Sequence, residues 1–278
     1  MTSLALRPSI FSRLRLVLLA AFATLLAACE TMGDSQSSAG GSSSAPQIGL
    51  YELRIYTAVD GKLGDLVARV RDHEMPLFRK HGMIPLGFFT PSAGPGQPET
   101  QRVYYILGYR DRAARDAAWT EFGADPEWRT AYRNSQVNGS LTTRIDNVFL
   151  APAEYSPVMN TRNGGAPRVF ELRTYTANPG KLEAIHARFR DHTREIFQRH
   201  GMTSVMYWRP LAGQGDYDQK MVYLMAYPSL EARNADWTAF SADAEWQRVS
   251  ADSQRDGALL RGRPDSVMLT PTSFSPLR

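Results

Sequence analysis

The chain has 278 residues, 43% hydrophobic and 22% charged, with a formal net charge of +4 and one cysteine, Cys29. A single cysteine excludes an intramolecular disulfide and a cysteine metal cluster. Arg7, Arg13 and Arg15 stand in an N-terminal stretch without acids; without them 29 basic residues face 28 acidic ones, a balance that gives no basic footprint for nucleic acid.

Residues 1–28 read as a signal peptide: a basic start, an apolar run from Leu16 to Ala28 too short to span a bilayer comfortably, and small residues at its end. Leu26-Ala27-Ala28-Cys29 resembles a bacterial lipobox, which implies cleavage before Cys29 and lipid attachment to it. The expected location is the cell envelope, lipid-anchored and facing the periplasm, with Glu30 rather than Asp favouring the outer membrane. Beyond the lipidated Cys29, residues 29–48 are rich in Gly and Ser and read as a flexible tether.

The remainder of the chain repeats itself. Tyr51-Glu-Leu-Arg-Ile-Tyr-Thr57 returns as Phe170-Glu-Leu-Arg-Thr-Tyr-Thr176, and Asp72-His73 and His81-Gly-Met83 also recur 119 residues on, at Asp191-His192 and His200-Gly-Met202. From Trp119 the offset is 118, to Trp237. A period this long marks a duplicated domain.

In chain order, each copy opens with a strand of period-two alternation, 51–57 or 170–176, and a Gly-containing turn. A helix is predicted from Leu63 to His81, with Leu63, Leu66, Val70, Leu77 and Phe78 on one face, and Gly82 or Gly201 stops it. Strands follow at 85–90 (204–209) and 102–109 (220–227), then a helix at 112–122 (230–240) and a helical piece around Trp128 or Trp246. A strand at 147–150 (266–269) closes each copy. The order βαββαβ predicts an α+β chain of two ferredoxin-like repeats, 49–157 and 168–278, joined by a linker at 158–167. Helices cover one sheet face only, so the two antiparallel sheets are expected to pack face to face as an intrachain α+β barrel, a pseudo-dimer within one chain.

The Tyr-Glu-Leu-Arg-x-Tyr strand, the Gly-Lys-Leu helix start, the His-Gly helix end and the Trp-x-x-Phe…Glu-Trp segment resemble a tandem NIPSNAP-domain protein of the dimeric α+β-barrel superfamily. The resemblance covers about 50–157 and 168–278. It implies the barrel fold but no single reaction, since the superfamily holds cofactor-free monooxygenases, haem-handling enzymes and small-molecule binders.

Candidate site residues fall in two groups. Glu52, Arg54 and Tyr56 share one face of the first strand, as do Glu171, Arg173 and Tyr175 in the second copy. They either orient a ligand or form an interlocking ion-pair layer that fixes the docking of the two sheets. His73 and His192 lie three or four residues from helix-face apolar positions, which points them inward as proton carriers or as packed core histidines. His81 and His200 suit the negative helix end. Trp119, Trp128, Trp237 and Trp246 read as core anchors, and Phe88, Phe89, Tyr207 and Trp208 as pocket walls or sheet packing.

Zincin, P-loop, nucleophile-elbow and dinucleotide motifs are absent from the sequence. The expected function is a membrane-anchored lipoprotein that binds a small apolar or aromatic molecule, with action on that molecule left open. The alternative is a non-catalytic scaffold or partner-binding lipoprotein. No metal or other cofactor is expected, haem on an inward histidine being the third reading.

Overall fold

The computed structural model describes residues 47–92, 101–161 and 168–278. The expected signal peptide, Cys29, nearly all of the expected tether and residues 162–167 of the expected linker lie outside the described residues.

Each repeat begins with the alternating strand, β1 (Leu50–Ala58) or β5 (Val169–Thr176). In the first repeat there follow α1 (Leu63–Arg69), a π turn (Val70–Glu74), α2 (Met75–Lys80), β2 (Ile84–Pro91), β3 (Arg102–Tyr109), α3 (Arg112–Ala124), α4 (Pro126–Ser135) and β4 (Thr142–Pro152). The second repeat matches it with α5 (Leu182–Arg188), a π turn (Phe189–Thr193), α6 (Arg194–Arg199), β6 (Thr203–Pro210), β7 (Lys220–Tyr227), α7 (Leu230–Ala242), α8 (Ala244–Asp252) and β8 (Asp265–Pro271).

Local signals set most of these bounds. Gly82 and Gly201 both sit at φ 74°, a backbone region that disfavours a Cβ. Met83 N–H then reaches back to Phe78 O at 2.9 Å and Gly82 N–H to Arg79 O at 3.1 Å, satisfying carbonyls at the helix end. Asp111 and Ser229 cap α3 and α7 by accepting from Ala114 N at 2.8 Å and Ala232 N at 3.1 Å.

The eight strands form one closed antiparallel barrel in the order β1-β3-β2-β8-β5-β7-β6-β4. The expected intrachain barrel is thus present, but its two halves join edge to edge through backbone ladders. At one seam Thr90 pairs with Thr270, and at the other Ala151 pairs with Arg209. For this reason β4 and β8 run past the predicted 150 and 269, to Pro152 and Pro271, into the other repeat. Closure removes the free edges that each half-sheet would otherwise expose.

Alternation then divides the apolar residues among three cores. Tyr51, Leu53, Phe89, Tyr104, Phe170, Trp208, Val222 and Leu224 point into the barrel and form a single core shared by both repeats. An eight-stranded barrel is just wide enough for side chains to fill it. The opposite sheet face packs under α1–α4 around Phe78, Tyr105 and Phe122, and under α5–α8 around Phe197, Tyr223 and Phe240. Phe88 and Tyr207 join these helix-side cores, whereas Phe89 and Trp208 face the barrel, so all four are packing residues.

The segments after the closing strands cross to the other repeat. Tyr155 packs among the helix-side residues of the second repeat, and Phe274 among those of the first. Ser156 Oγ accepts from Tyr207 N, and Ser275 Oγ accepts from Phe88 N, both at 2.9 Å.

Candidate functional site

The polar face of β1 lies against the helices, not against the other sheet. Glu52 is fully buried. Its Oε1 accepts from Arg54 Nη1 at 2.8 Å and Arg115 Nη2 at 2.7 Å, and its Oε2 from Arg115 Nε at 2.9 Å and Trp119 Nε1 at 3.1 Å. Tyr109 and Asn147 add donors at 3.1 and 3.3 Å. Burial alone would raise the Glu52 carboxyl, but Arg115 and Arg54 outweigh it and hold it below the ordinary value. Arg54 turns its other donors to Tyr105 and Tyr56 at 2.9 and 3.2 Å and lies 4.3 Å from the Trp119 ring centroid.

The second repeat rebuilds this hub. Glu171 accepts from Arg173 at 2.6 Å, both edge nitrogens of Arg233 at 3.1 and 2.5 Å, Trp237 at 2.9 Å, Tyr227 at 3.2 Å and Ser266 at 2.6 Å. Burial raises this carboxyl, yet the hydrogen bonds and charges of Arg233, Arg173 and Ser266 bring it down to about 2. Tyr175 accepts from Tyr223 at 3.0 Å. Both carboxylates are therefore saturated by their own chain, and the predicted ion-pair layer binds sheet to helices rather than sheet to sheet. Arg115, Arg233 and the tryptophan N–H groups are parts of the hub that sequence reasoning missed. Their recurrence at one offset was the available signal, but Trp119 and Trp237 read simply as apolar anchors.

His73 and His192 are exposed, which corrects the inward orientation expected for them. The cause is the π turn. Met75 N–H bonds to Val70 O, and Arg194 N–H to Phe189 O, each five residues back. The wider turn carries the buried face to the fourth and fifth residues after Val70, so Glu74 and Met75 point inward and His73 stays outside. Haem ligation by an inward histidine therefore finds no such residue at 73 or 192. Neither histidine joins the Glu52 or Glu171 hub.

Both histidines instead rim corresponding clefts. The first, about 370 Å³, lies between α1 and α4 and is lined by Ala68, Arg69, His73, Ala131 and Ser135 among others. The second, about 460 Å³, lies between α5 and α8 and is lined by Ala187, Arg188, His192, Val249 and Ser253. At the base of each sits a buried arginine whose Nη1 donates to a serine at 3.4 Å, Arg69 to Ser135 and Arg188 to Ser253. A larger cleft of about 550 Å³, near Arg190, Arg194 and Gln198, carries no buried polar atom without a partner among its lining residues.

His81 and His200 take a structural part at the helix ends. Their Nε2 atoms lie 2.8 Å from Asp125 and Asp243, the residues that cap α4 and α8. Contact with His200 and backbone N–H groups lowers Asp243 to about 2. Among the described residues, no group of three or more His, Cys, Asp or Glu is placed to hold a metal ion.

The fold is shared with solved structures. A candidate monooxygenase from Lactobacillus acidophilus NCFM aligns over 81% of this chain and 94% of its own, with a TM-score of 0.53 and 12% identity. An anthrone oxidase-like protein aligns over 84% of this chain and 95% of its own, with a TM-score of 0.53 and 14% identity. An uncharacterized NIPSNAP domain protein from Burkholderia xenovorans is 24% identical over 39% of this chain and 98% of its own, with a TM-score of 0.34. No curated protein matches the sequence significantly. The NIPSNAP family profile matches twice, at residues 51–157 and 170–276. The chain belongs to the NIPSNAP family and carries two of its domains in tandem.

Proposed function

We propose that this protein is a lipid-anchored envelope protein that binds a small molecule with an apolar or aromatic body in the paired clefts above Arg69 and Arg188. The observation that carries the reading is the recurrence of one cleft in both repeats, with an alanine wall, an exposed histidine at the rim and a buried arginine at the base. Side chains fill the barrel and the Glu52 and Glu171 hubs are saturated, which leaves surface clefts for a ligand, and of these the paired ones recur in both repeats. The names of the fold neighbours add no reaction, because at 12% and 14% identity the likeness is one of fold. The order and pairing of elements support a ferredoxin-like plan for each repeat.

The reading is tested by ligand-observed NMR with a set of small carboxylates, alcohols and aromatics. Ala68→Trp and Ala187→Trp, which fill the clefts, are expected to abolish binding in the respective repeat. Ligand-induced shifts at barrel methyls such as Leu53 and Leu224, with both tryptophan variants still binding, sink it. Anchoring is tested separately: palmitate labelling in a bacterial host is expected for the wild type and lost in Cys29→Ala.

A second reading, a non-catalytic scaffold, is favoured by the complete hydrogen bonding of both glutamate hubs, which leaves them no free acceptor. It predicts no saturable binding by any probe in that set.

A further inference from the structure

The two clefts differ in charge at their rims, where Arg248 and Asp252 line only the second, and at one buried point beneath them. In the first repeat, Arg69 Nε donates to Glu74 at 2.9 Å, and both side chains are buried. Thr193 stands at the position of Glu74, and its hydroxyl donates to the Arg188 carbonyl at 3.1 Å, away from the guanidinium. Arg188 is only 6% exposed. Its Nε has no hydrogen-bond partner, and its side chain forms no ion pair among the described residues. One face of the guanidinium lies 5.2 Å from the Trp246 ring centroid. A buried cation without an anion is unfavourable unless something else supplies the negative charge.

The carboxylates at the rim do not supply it. Asp191 is held by Arg190 at 2.7 Å, Glu245 by Arg199 at 2.7 Å and Asp252 by Arg255 at 2.6 Å. With these carboxylates engaged, a singly charged head is enough to balance the single charge of Arg188. The alanine and valine walls, Ala184, Ala187 and Val249, suit an apolar body behind the charged head.

We infer that the cleft between α5 and α8 is selective for a small monocarboxylate, whose head pairs with Arg188 and whose apolar body lies against Ala184, Ala187 and Val249. The first-repeat cleft lacks this selectivity because Glu74 already occupies Arg69. The inference rests on the reading of the clefts as ligand sites and adds the ligand's charge.

The experiment titrates the full chain with benzoate and with neutral benzamide, following the Arg188 Nε–H resonance and the Ala184 and Ala187 methyls. Benzoate is expected to shift these signals saturably at millimolar concentration or below, with benzamide at least about tenfold weaker. Thr193→Glu, which installs the first repeat's internal carboxylate, is expected to weaken benzoate at least about tenfold while leaving the fold intact. Glu74→Gln, which removes the charge beside Arg69, is expected to raise the stoichiometry from one benzoate to two. Equal affinity for benzoate and benzamide, or benzoate binding unchanged by Thr193→Glu, overturns the inference. If Ala187→Trp then still abolishes binding, the cleft reading survives and only Arg188 as anchor fails. Binding indifferent to Ala187→Trp removes both, as does the absence of any saturable shift.

Discussion

Glu52 and Arg115 meet across the boundary between sheet and helix, the carboxylate accepting from both edge nitrogens of the guanidinium at 2.9 and 2.7 Å. Arg54 and Trp119 converge on the same group, so removing its charge leaves the half-buried Arg54 without its carboxylate and Arg115 with only the exposed Asp116. Glu52→Gln is expected to lower stability by about 3–5 kcal/mol, and Glu171→Gln by a similar amount. Urea denaturation measures the loss. Ligand binding in the clefts is expected to survive under conditions where the variants remain folded, and a selective loss of binding at wild-type stability would return these residues to the site.

The Arg69–Glu74 pair gives a second test. Burial pushes the Glu74 carboxyl up, while Arg69 at 2.9 Å opposes that rise. Glu74→Thr copies the second repeat's residue and strands Arg69, at an expected loss of about 3–5 kcal/mol. Hydrogen exchange is expected to speed up locally in α1 and α4. If the variant unfolds at the wild-type urea midpoint, the pair is not a stabilising contact.

His186 makes folding sensitive to mild acid. It is fully buried, 2.8 Å from the Tyr155 hydroxyl, with no partner for its Nε2. Burial, with Arg209 adding to it, lowers its pKa from 6.5 to about 4. The unfolded chain therefore takes up a proton in a range where the folded chain does not. Stability is expected to fall as pH drops from 6.5 to about 4, by on the order of 3 kcal/mol. His186→Val, the residue type at Val67 in the first repeat, should flatten this interval in urea titrations. The loss at Glu171 belongs lower, from 4.5 down to about 2, because its folded pKa is depressed. An unchanged pH profile in His186→Val rejects the assignment.

The shared core predicts how a single repeat behaves. Residues 168–278 alone would expose Phe170, Leu172, Trp208, Val222 and Leu224 along with two strand edges. Such a face calls for a partner. The isolated repeat is expected to run as a dimer or larger assembly in light scattering, and a folded, soluble monomer would contradict the single-core description.

Much of the local structure was legible in advance. Strand alternation and the Gly82 and Gly201 stops depend on a few neighbouring residues, the long repeat is visible in residue order alone, and the structure follows them. Period-two alternation also grouped Glu52, Arg54 and Tyr56 correctly on one face. It carried no statement of what covers that face, and the helices, not the other sheet, proved to do so. The π turn was hidden for a related reason. Its sequence, Val70-Arg-Asp-His-Glu74, is compatible with an ordinary helix, and the wider turn shows only in which side chains the sheet receives.

The sequence by itself determined that this is a duplicated α+β chain, since duplication and alternation are properties of residue order. It also contained the exchange of Glu74 for Thr193, but as a difference without a meaning. Only the tertiary structure decided that each half-sheet closes onto the other through its edges, because strand partners such as Thr90 and Thr270 or Ala151 and Arg209 lie far apart in the chain. The same packing buries Arg188 beside Thr193 with no ion-pair partner among the described residues, and burial is what gives an ordinary substitution an electrostatic consequence.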